Sequence, residues 1–205
     1  MGFWTALLYD RVMGRLERRC LAAWRAELLA GLRGDVLDLG AGTGANLPHY
    51  PPGRFGRIVA VEPDRPMRRR LARRAGDFPR VEIVDAAAEA LPFPAASFDA
   101  AVVTLVLCSV SDPVRALAEL HRVLRPGGSL AFLEHVHAEH DPRCARWQRR
   151  LEPLWKHLAD GCHLTRRTEA AIRDAGFRIE RVERADMHPV PSWVRPTVRG
   201  IATRC

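Results

Sequence analysis

One stretch constrains this chain more than any other: Val36-Leu37-Asp38-Leu39-Gly40-Ala41-Gly42-Thr43-Gly44. An apolar run ends in an acid and then in glycines at alternate positions. Glycine accepts positive φ and lets the backbone come close to a ligand. In open α/β sheets, ligands bind just beyond the carboxyl ends of the strands, which is where this turn falls. The spacing is not that of the dinucleotide fingerprint G-x-G-x-x-G, which leaves a helix N-terminus facing a pyrophosphate. Here it is G-x-G-x-G, with the Asp38 carboxylate two residues ahead. A negative charge at that point repels a pyrophosphate and favours an ammonium or a sulfonium.

The rest of the chain supplies a sheet to carry the turn. Trp4 to Leu32 places Leu7, Leu8, Val12, Leu16, Leu21, Trp24, Leu28 and Leu29 at helical spacing. Short apolar runs then predict strands at Asp35 to Leu39, Arg57 to Val61, Val81 to Val84, Phe98 to Val106 and Ser129 to Glu134. Between them, Pro66 to Ala75 reads as a helix. So does a segment capped by Asp112, with Pro113 at its first position, that runs to Leu124. Pro126, Gly127 and Gly128 turn the chain into the fifth strand. Past residue 140 the pattern changes. Arg143 to Leu158 predicts an amphipathic helix with Trp147 and Trp155 on one face, and Thr165 to Ala175 a helix stopped by Gly176. Phe177 to Glu183 and Thr197 to Thr203 read as two strands close in sequence.

The alternation predicts an α/β fold: a Rossmann-like, seven-stranded, mostly parallel sheet with helices on both faces and an antiparallel C-terminal strand. We read a single domain over residues 1–205. It divides into an N-terminal helical cap (1–33), a cofactor-binding core (34–135), and an acceptor lid with the C-terminal strands (136–205).

A second acid sharpens the site. Glu62 ends the second predicted strand, about 20 residues after the glycine turn, where an acid takes ribose hydroxyls in Rossmann-like sites. After the third strand, Asp85-Ala86-Ala87-Ala88-Glu89 offers small side chains against which a flat base can lie. Asp85 or Glu89 is placed to take an exocyclic amine, or is merely solvated.

Charge and cysteine content narrow the classes. The net charge of +8 is almost all arginine, Lys156 being the only lysine. The clusters Arg68 to Arg70, Arg73 and Arg74, and Arg149 and Arg150 have no interleaved aromatics for base stacking, so we expect solvated helix faces and no nucleic-acid partner. Cys20, Cys108, Cys144, Cys162 and Cys205 are odd in number, widely spaced and free of CxxC, which argues against a disulfide framework and a zinc site. No metal is expected. No apolar stretch reaches the roughly 20 residues of a spanning helix, and the first residues are too short for a signal peptide. A cytoplasmic chain without a transmembrane anchor is expected, with at most a weak peripheral contact to membranes.

The stretches VLDLGAGTG (36–44), VAVEPD (59–64), EALPFPAASFDAAV (89–102) and ELHRVLRPGGSLAFLEH (119–135) together resemble the class I S-adenosylmethionine-dependent methyltransferases. Many members carry Asp where this chain has Ala87. A closer resemblance is to the methyltransferase-like 7 group of alkyl thiol S-methyltransferases. It rests on Gly44-Ala45-Asn46, Tyr50-Pro51-Pro52-Gly53, Thr104-Leu105-Val106-Leu107-Cys108-Ser109-Val110 and Glu134-His135-Val136. It continues through Asp160-Gly161-Cys162-His163-Leu164-Thr165-Arg166 and Trp193-Val194-Arg195-Pro196. That group also has small side chains at positions 86 and 87. Its animal members carry an N-terminal membrane-anchoring segment; this chain starts after the corresponding point, so no anchor is carried over.

The resemblance implies S-adenosyl-L-methionine as cofactor and S-methylation of a small thiol. The alternative is C- or O-methylation of a quinone or phenol, because that branch shares the EALPF and RVLRPGG motifs. The cofactor-binding candidates are Asp38, Gly40, Ala41, Gly42, Gly44, Asn46, Glu62, Pro63, Met67, Ala86, Ala87, Glu89, Thr104 and Leu105. Asp38 would meet the cationic amino-acid moiety, directly or through water.

The acceptor is expected beyond strands four and five, near Thr104, Leu105, Cys108, Ser109, Glu134 and His135, with Trp155, Asp160, Gly161, Cys162, His163 and Thr165 as a second cluster. The catalytic candidates are His135 and Asp160. An imidazole with an ordinary pKa near 6.5 can assist thiol deprotonation, or it can simply satisfy backbone groups. A thiol with pKa near 8.5 ionises without a strong base. Cys108 reads more readily as a small buried hydrophobe than as a nucleophile. Tyr9, Asp10 and Arg11 are the cap's polar groups, placed to close over the cofactor or simply exposed.

Overall fold

The computed structural model describes residues 14, 16–78, 80–159 and 161–205. Tyr9, Asp10, Arg11 and Asp160 lie outside the described residues. Seven strands are present: β1 (Gly34–Leu39), β2 (Phe55–Val61), β3 (Val81–Val84), β4 (Phe98–Thr104), β5 (Leu124–His135), β6 (Phe177–Asp186) and β7 (Pro196–Arg204). They form one sheet in the order β3-β2-β1-β4-β5-β7-β6. The pairings from β3 across to β5 are parallel, and β7 runs antiparallel to both β5 and β6. The expected fold class therefore stands.

Among the described residues, five α-helices flank the sheet: α1 (Ala22–Leu29, entered through a π-turn at Glu17–Leu21), α2 (Arg65–Ala75), α3 (Pro113–Val123), α4 (Pro142–Leu158) and α5 (Thr168–Asp174). Three of them start on the same local device. Asp64, Asp112 and Asp141 each accept backbone N–H groups of the first turn, and each is followed by a proline in that turn. Such caps contribute about 1 kcal/mol apiece and fix where the chain leaves each loop.

The sheet separates two cores. In β1, Leu37 and Leu39 face one cluster with Leu117, Leu120 and Val123 of α3 and Ile172 of α5. Val36 faces the other, with Leu28 and Leu29 of α1 and Leu71 of α2. Asp38, two residues after Val36, shares that second face because strand side chains alternate. The acid is thereby placed on the face that α1 covers.

Several boundaries differ from expectation. β4 ends at Thr104 rather than Val106 because Leu105 takes a φ of 60°, which leaves the extended region. β5 begins at Leu124, pairing with Phe98, and accommodates Pro126 to Gly128 as an irregularity before the Ser129–Ala100 pair, with Gly127 at a φ of 76°. α5 starts at Thr168, not Thr165, and β6 continues to Asp186 because its partner β7 reaches Pro196. The expectation that Trp147 and Trp155 share a helix face is corrected. Eight residues at about 100° each leave the rings roughly 80° apart. Trp147 is 53% exposed, whereas Trp155 packs against the cap-side core.

Candidate functional site

Parallel register brings the sequence candidates together. Leu39 pairs with Val61 on one side and Val103 on the other, so Gly40, Glu62 and Thr104 leave their strands side by side. Thr104 pairs with Leu133, which sets Leu105 beside Glu134. The turn after β1 then folds back on itself. Ala41 N–H donates to the Val61 carbonyl, and Gly44 N–H to the Ala41 carbonyl. Gly40, at a φ of 64°, lies so close to Val106 that a Cβ would sit 2.5 Å from its Cγ2. Gly42, at a φ of 59°, meets no atom nearer than 4.0 Å on that side; the space it leaves belongs to a groove.

That groove has a volume of about 390 Å³. Its walls are Gly40 and Gly42 from the first turn, Glu62, Pro63, Asp64 and Met67 from the second, Ala86 to Glu89 from the third, and Leu105, Val106 and Ser109 to Ser111 from the fourth. Ala159, from the end of α4, closes one side. A larger groove of about 710 Å³ lies between the loop after β5, α5 and the ends of β6 and β7. It contains neither the glycine turn nor Glu62, so the smaller groove is the candidate site.

Glu62 is 7% exposed and uses both carboxylate oxygens locally. Oε2 accepts from Gly42 N–H at 2.8 Å and Oε1 from Asp64 N–H at 2.9 Å. Burial raises its carboxyl above the ordinary range, and the two backbone donors work against that shift. A carboxylate has about four lone-pair sites, so two acceptor positions remain for a ligand. Glu89 also lines the groove, although its Oε1 accepts from Asp112 N–H. Asp85 turns away to pair with Arg68 at 2.5 Å and lies outside this groove.

Asp38 is fully buried behind the turn and does not line the groove. Its Oδ1 accepts from Asn46 Nδ2 at 2.8 Å, and the buried Tyr50 hydroxyl stands beside the carboxyl. Burial pushes this carboxyl up to about 6, against the Asn46 hydrogen bond and the charge of Arg25. Arg25 was not singled out from the sequence. It reaches from α1, 4% exposed, and donates to Asn46 Oδ1 at 2.6 Å and Thr104 Oγ1 at 2.7 Å, with Nε on Glu17 at 3.0 Å. The available signal was an arginine at the helical spacing of Leu21, Leu28 and Leu29. Asn46 and Thr104 thus sit in a buried network that ties cap, turn and β4 together. Ala41 and Gly44 shape the turn from within, Gly44 packing against Leu71.

The fourth turn leads to a second cluster. Glu134 is fully buried, and its two oxygens accept from Val106 N–H at 2.8 Å and Cys108 N–H at 3.2 Å. Burial pushes its carboxyl up to about 7. His135 is 2% exposed and does not reach the groove. Its Nδ1 lies 3.9 Å from Cys162 Sγ, and its Nε2 is buried without a partner. The thiols of Cys108 and Cys162 share a proton-ordering contact. It holds the Cys162 thiol well below the ordinary range, helped by His135, and together with burial pushes Cys108 well above it.

His163 N–H donates to the Cys108 carbonyl at 2.8 Å, and its ring Nδ1 meets Glu152 Oε1 at 2.7 Å. Gln148, also missed, is a buried clamp: its Oε1 accepts Ala138 N–H, and its Nε2 donates to the Val136 and Trp193 carbonyls. All five cysteines are free. Among the described residues, no helix is long and apolar enough to cross a membrane.

Comparison with known proteins accords with this geometry. A family model described as a methyltransferase domain matches residues 37–132. Thiol S-methyltransferase TMT1B of Rattus norvegicus is 39% identical over 176 residues, 82% of this chain and 70% of that one. Thiol S-methyltransferase TMT1A of Homo sapiens is 35% identical over 206 residues, 97% of this chain and 82% of its own. Ubiquinone/menaquinone biosynthesis C-methyltransferase UbiE of Escherichia coli is 39% identical, but over 48% of this chain and 41% of its own. Among solved structures, a putative methyltransferase of Bacillus halodurans superposes with a TM-score of 0.72 at 17% identity, covering 88% of this chain and 98% of that one. The [4+2]-cyclase SpnF gives 0.71 at 23% identity, with 90% and 79% covered. At such identities these two establish the fold.

Proposed function

The chain belongs to the thiol S-methyltransferase group of the class I S-adenosylmethionine-dependent methyltransferases, and on that premise we propose that it methylates the sulfur of a small thiol from the groove beyond β1, β2 and β4. When bound, S-adenosyl-L-methionine supplies a sulfonium-activated methyl group. The residues of the groove suit that molecule on two counts. Gly42 leaves a cradle that any Cβ would fill, and Glu62, which lines the groove, keeps two acceptor positions beyond the two backbone N–H groups it already holds.

In this reading Glu62 receives the two ribose hydroxyls while it holds the glycine turn. Met67, Pro63, Ala86, Ala87 and Leu105 flank the base and sugar, and Glu89 faces the edge of the base. Asp38 acts from behind the turn, through Asn46 or an intervening water, and lends negative potential to the cationic end. Gly40, Ala41, Gly44 and Thr104 hold the turn in shape.

Transfer is an in-line displacement, so the chain mainly has to align the acceptor. A thiol loses its proton readily near neutral pH, so positioning counts for more than basicity. Ser109, Val110 and Ala159 border the acceptor side of the groove. His135 serves there as a positioning residue, orienting Cys162 behind Ser109. The division into cap (1–33), core (34–135) and lid (136–205) belongs to the same reading, as does work in a reducing cytoplasm with a small-molecule acceptor and no nucleic acid.

The observation that carries the proposal is Glu62 reaching both the glycine turn and the groove. The test is methyl transfer from labelled S-adenosyl-L-methionine to hydrogen sulfide, an alkyl thiol and a demethylated quinol in parallel. Methanethiol from hydrogen sulfide and a methyl thioether from the alkyl thiol are expected, with no transfer to the quinol. Methylation of the quinol without the thiols would overturn the acceptor assignment, in favour of the chemistry that UbiE is named for.

A further inference from the structure

We propose that the outward face of α4 docks on an anionic lipid bilayer. Among the described residues, the large apolar side chains that stand exposed are Val114, Trp147, Leu154 and Leu158. Three of the four are on α4, and they are 53%, 61% and 70% exposed. Separations of seven and four residues align them in one stripe along the helix. This stripe is not the packing face. Ala145 and Gln148 are buried on another side, Leu151 and Trp155 pack into the cap-side core, and Gln148 is locked to three backbone groups.

The charge beside the stripe is one-signed. Arg143, Arg146, Arg149, Arg150 and Lys156 are all exposed, and none pairs with a carboxylate among the described residues. The single acid of the helix, Glu152, is turned inward to His163. The guanidinium of Arg150 lies over the Trp147 ring, 5.9 Å from its centre. Arginines elsewhere behave differently: Arg178, Arg181, Arg184 and Arg199 on β6 and β7 all lie against glutamates.

A helix with an apolar stripe, an aromatic ring and an uncompensated basic flank lies in the plane of a membrane interface. Its cations meet lipid phosphates, and its leucines and tryptophan enter the acyl boundary. Each alternative occupant conflicts with one half of the surface. Nucleic acid would satisfy the cations and leave the leucines in water. A second copy of the same face would bury the leucines and oppose five cations to five. α4 ends at Leu158, and the next residue, Ala159, borders the candidate groove, so docking would turn the acceptor side of that groove toward lipid. This last consequence rests on the thiol reading; the docking does not.

The experiment is co-sedimentation of the full chain with vesicles of phosphatidylcholine alone and with about 30% phosphatidylglycerol, at low and at high salt. Two variants accompany it: Leu154→Ser/Leu158→Ser and Arg146→Glu/Arg149→Glu/Arg150→Glu. All five side chains are exposed, and unchanged melting and S-adenosylmethionine binding verify the fold. Binding to the anionic vesicles is expected, weakened roughly tenfold or more by either variant and by salt. No binding by the parent chain, or binding by either variant as tight as the parent's, would overturn the proposal. So would tighter binding to duplex RNA than to vesicles, or a dimer in light scattering that the leucine variant abolishes. Cofactor binding is read separately, so a failure here is distinguishable from a failure of the functional reading.

Discussion

The two halves of the sheet's carboxyl edge are built on different principles. At β1 and β2 the site is made of neighbours in sequence and in register: a glycine turn, an acid inside the end of β1 and another one residue past the end of β2. At β4 and β5 it is made of groups far apart in the chain. Glu134 reaches back to Val106 and Cys108, Cys162 meets His135, and the backbone of His163 holds that of Cys108. The second half is a buried polar arrangement whose shifted groups, Glu134 and the two thiols, respond to pH and to each other.

The sharpest way to break this contrast is to remove the shared anchor of the first half. Glu62→Ala deletes two backbone hydrogen bonds to a carboxylate together with the ribose acceptors. Charged hydrogen bonds are worth about 1.5–3 kcal/mol each, so S-adenosylmethionine affinity should fall roughly a hundredfold or more. Calorimetric titration checks it. An affinity within threefold of the parent would remove Glu62 from the site.

In the second half the corresponding experiment is a stability profile. The Glu134 carboxyl sits at about 7, above its ordinary 4.5, because burial disfavours the charge. The folded state therefore holds the proton more tightly than the unfolded chain does. Its contribution is fully present below pH 4.5 and is lost as the pH rises toward 7, by about 3 kcal/mol at most. Urea melts at intervals across that window should show the decline. Glu134→Gln should flatten it, because its side chain does not titrate. Asp38 adds a decline of the same sign between its ordinary value and about 6, so the comparison has to be made between parent and variant.

The contrast also explains what could be read from residues alone. The seven strands, the groove-lining glycines, Glu62, Met67 and the alanines after β3 were legible because short-range pattern dictates them. Asp38 was legible as a necessary acid, but its concealment was not. That depends on Arg25 entering from a helix far back in sequence, and a lone arginine on an apolar face announces little by itself. Trp147 and Trp155 were paired by spacing and separated by helical pitch. His135 was visible as a histidine after a strand. Its closure away from the groove follows from the position of Cys162, which no local rule gives.

A smaller effect sharpens the role assigned to Asp38. A cation bound near it favours the ionised carboxyl, so binding and ionisation reinforce each other. The Asp38 carboxyl lies at about 6. The affinity for S-adenosylmethionine should therefore rise with pH through that region, by about tenfold between pH 5 and 7. Asp38→Asn should bind more weakly and lose this dependence. If the variant keeps the same slope, the titrating group lies elsewhere, with Glu62 next in line.

The smallest expected effect concerns the thiols of the second half, and it asks whether that half is chemically live or merely packed. Cys162 is held below the ordinary thiol range by Cys108 and His135, and Cys108 is driven above it. That ordering would leave the proton of the pair on Cys108 and make Cys162 the nucleophilic sulfur. With iodoacetamide at pH 6.5, Cys162 should alkylate several-fold faster than Cys108, and its rate should change little up to pH 8. His135→Ala should restore a rate that climbs with pH, because the Cys162 sulfur loses the ring nitrogen in contact with it. Alkylation at Cys162 should slow methyl transfer while S-adenosylmethionine still binds, since the added group sits on the acceptor side. Equal alkylation of both cysteines, or a steep pH dependence in the parent chain, would make the second half packing alone, and the two ends of the sheet would differ in assembly but not in chemistry.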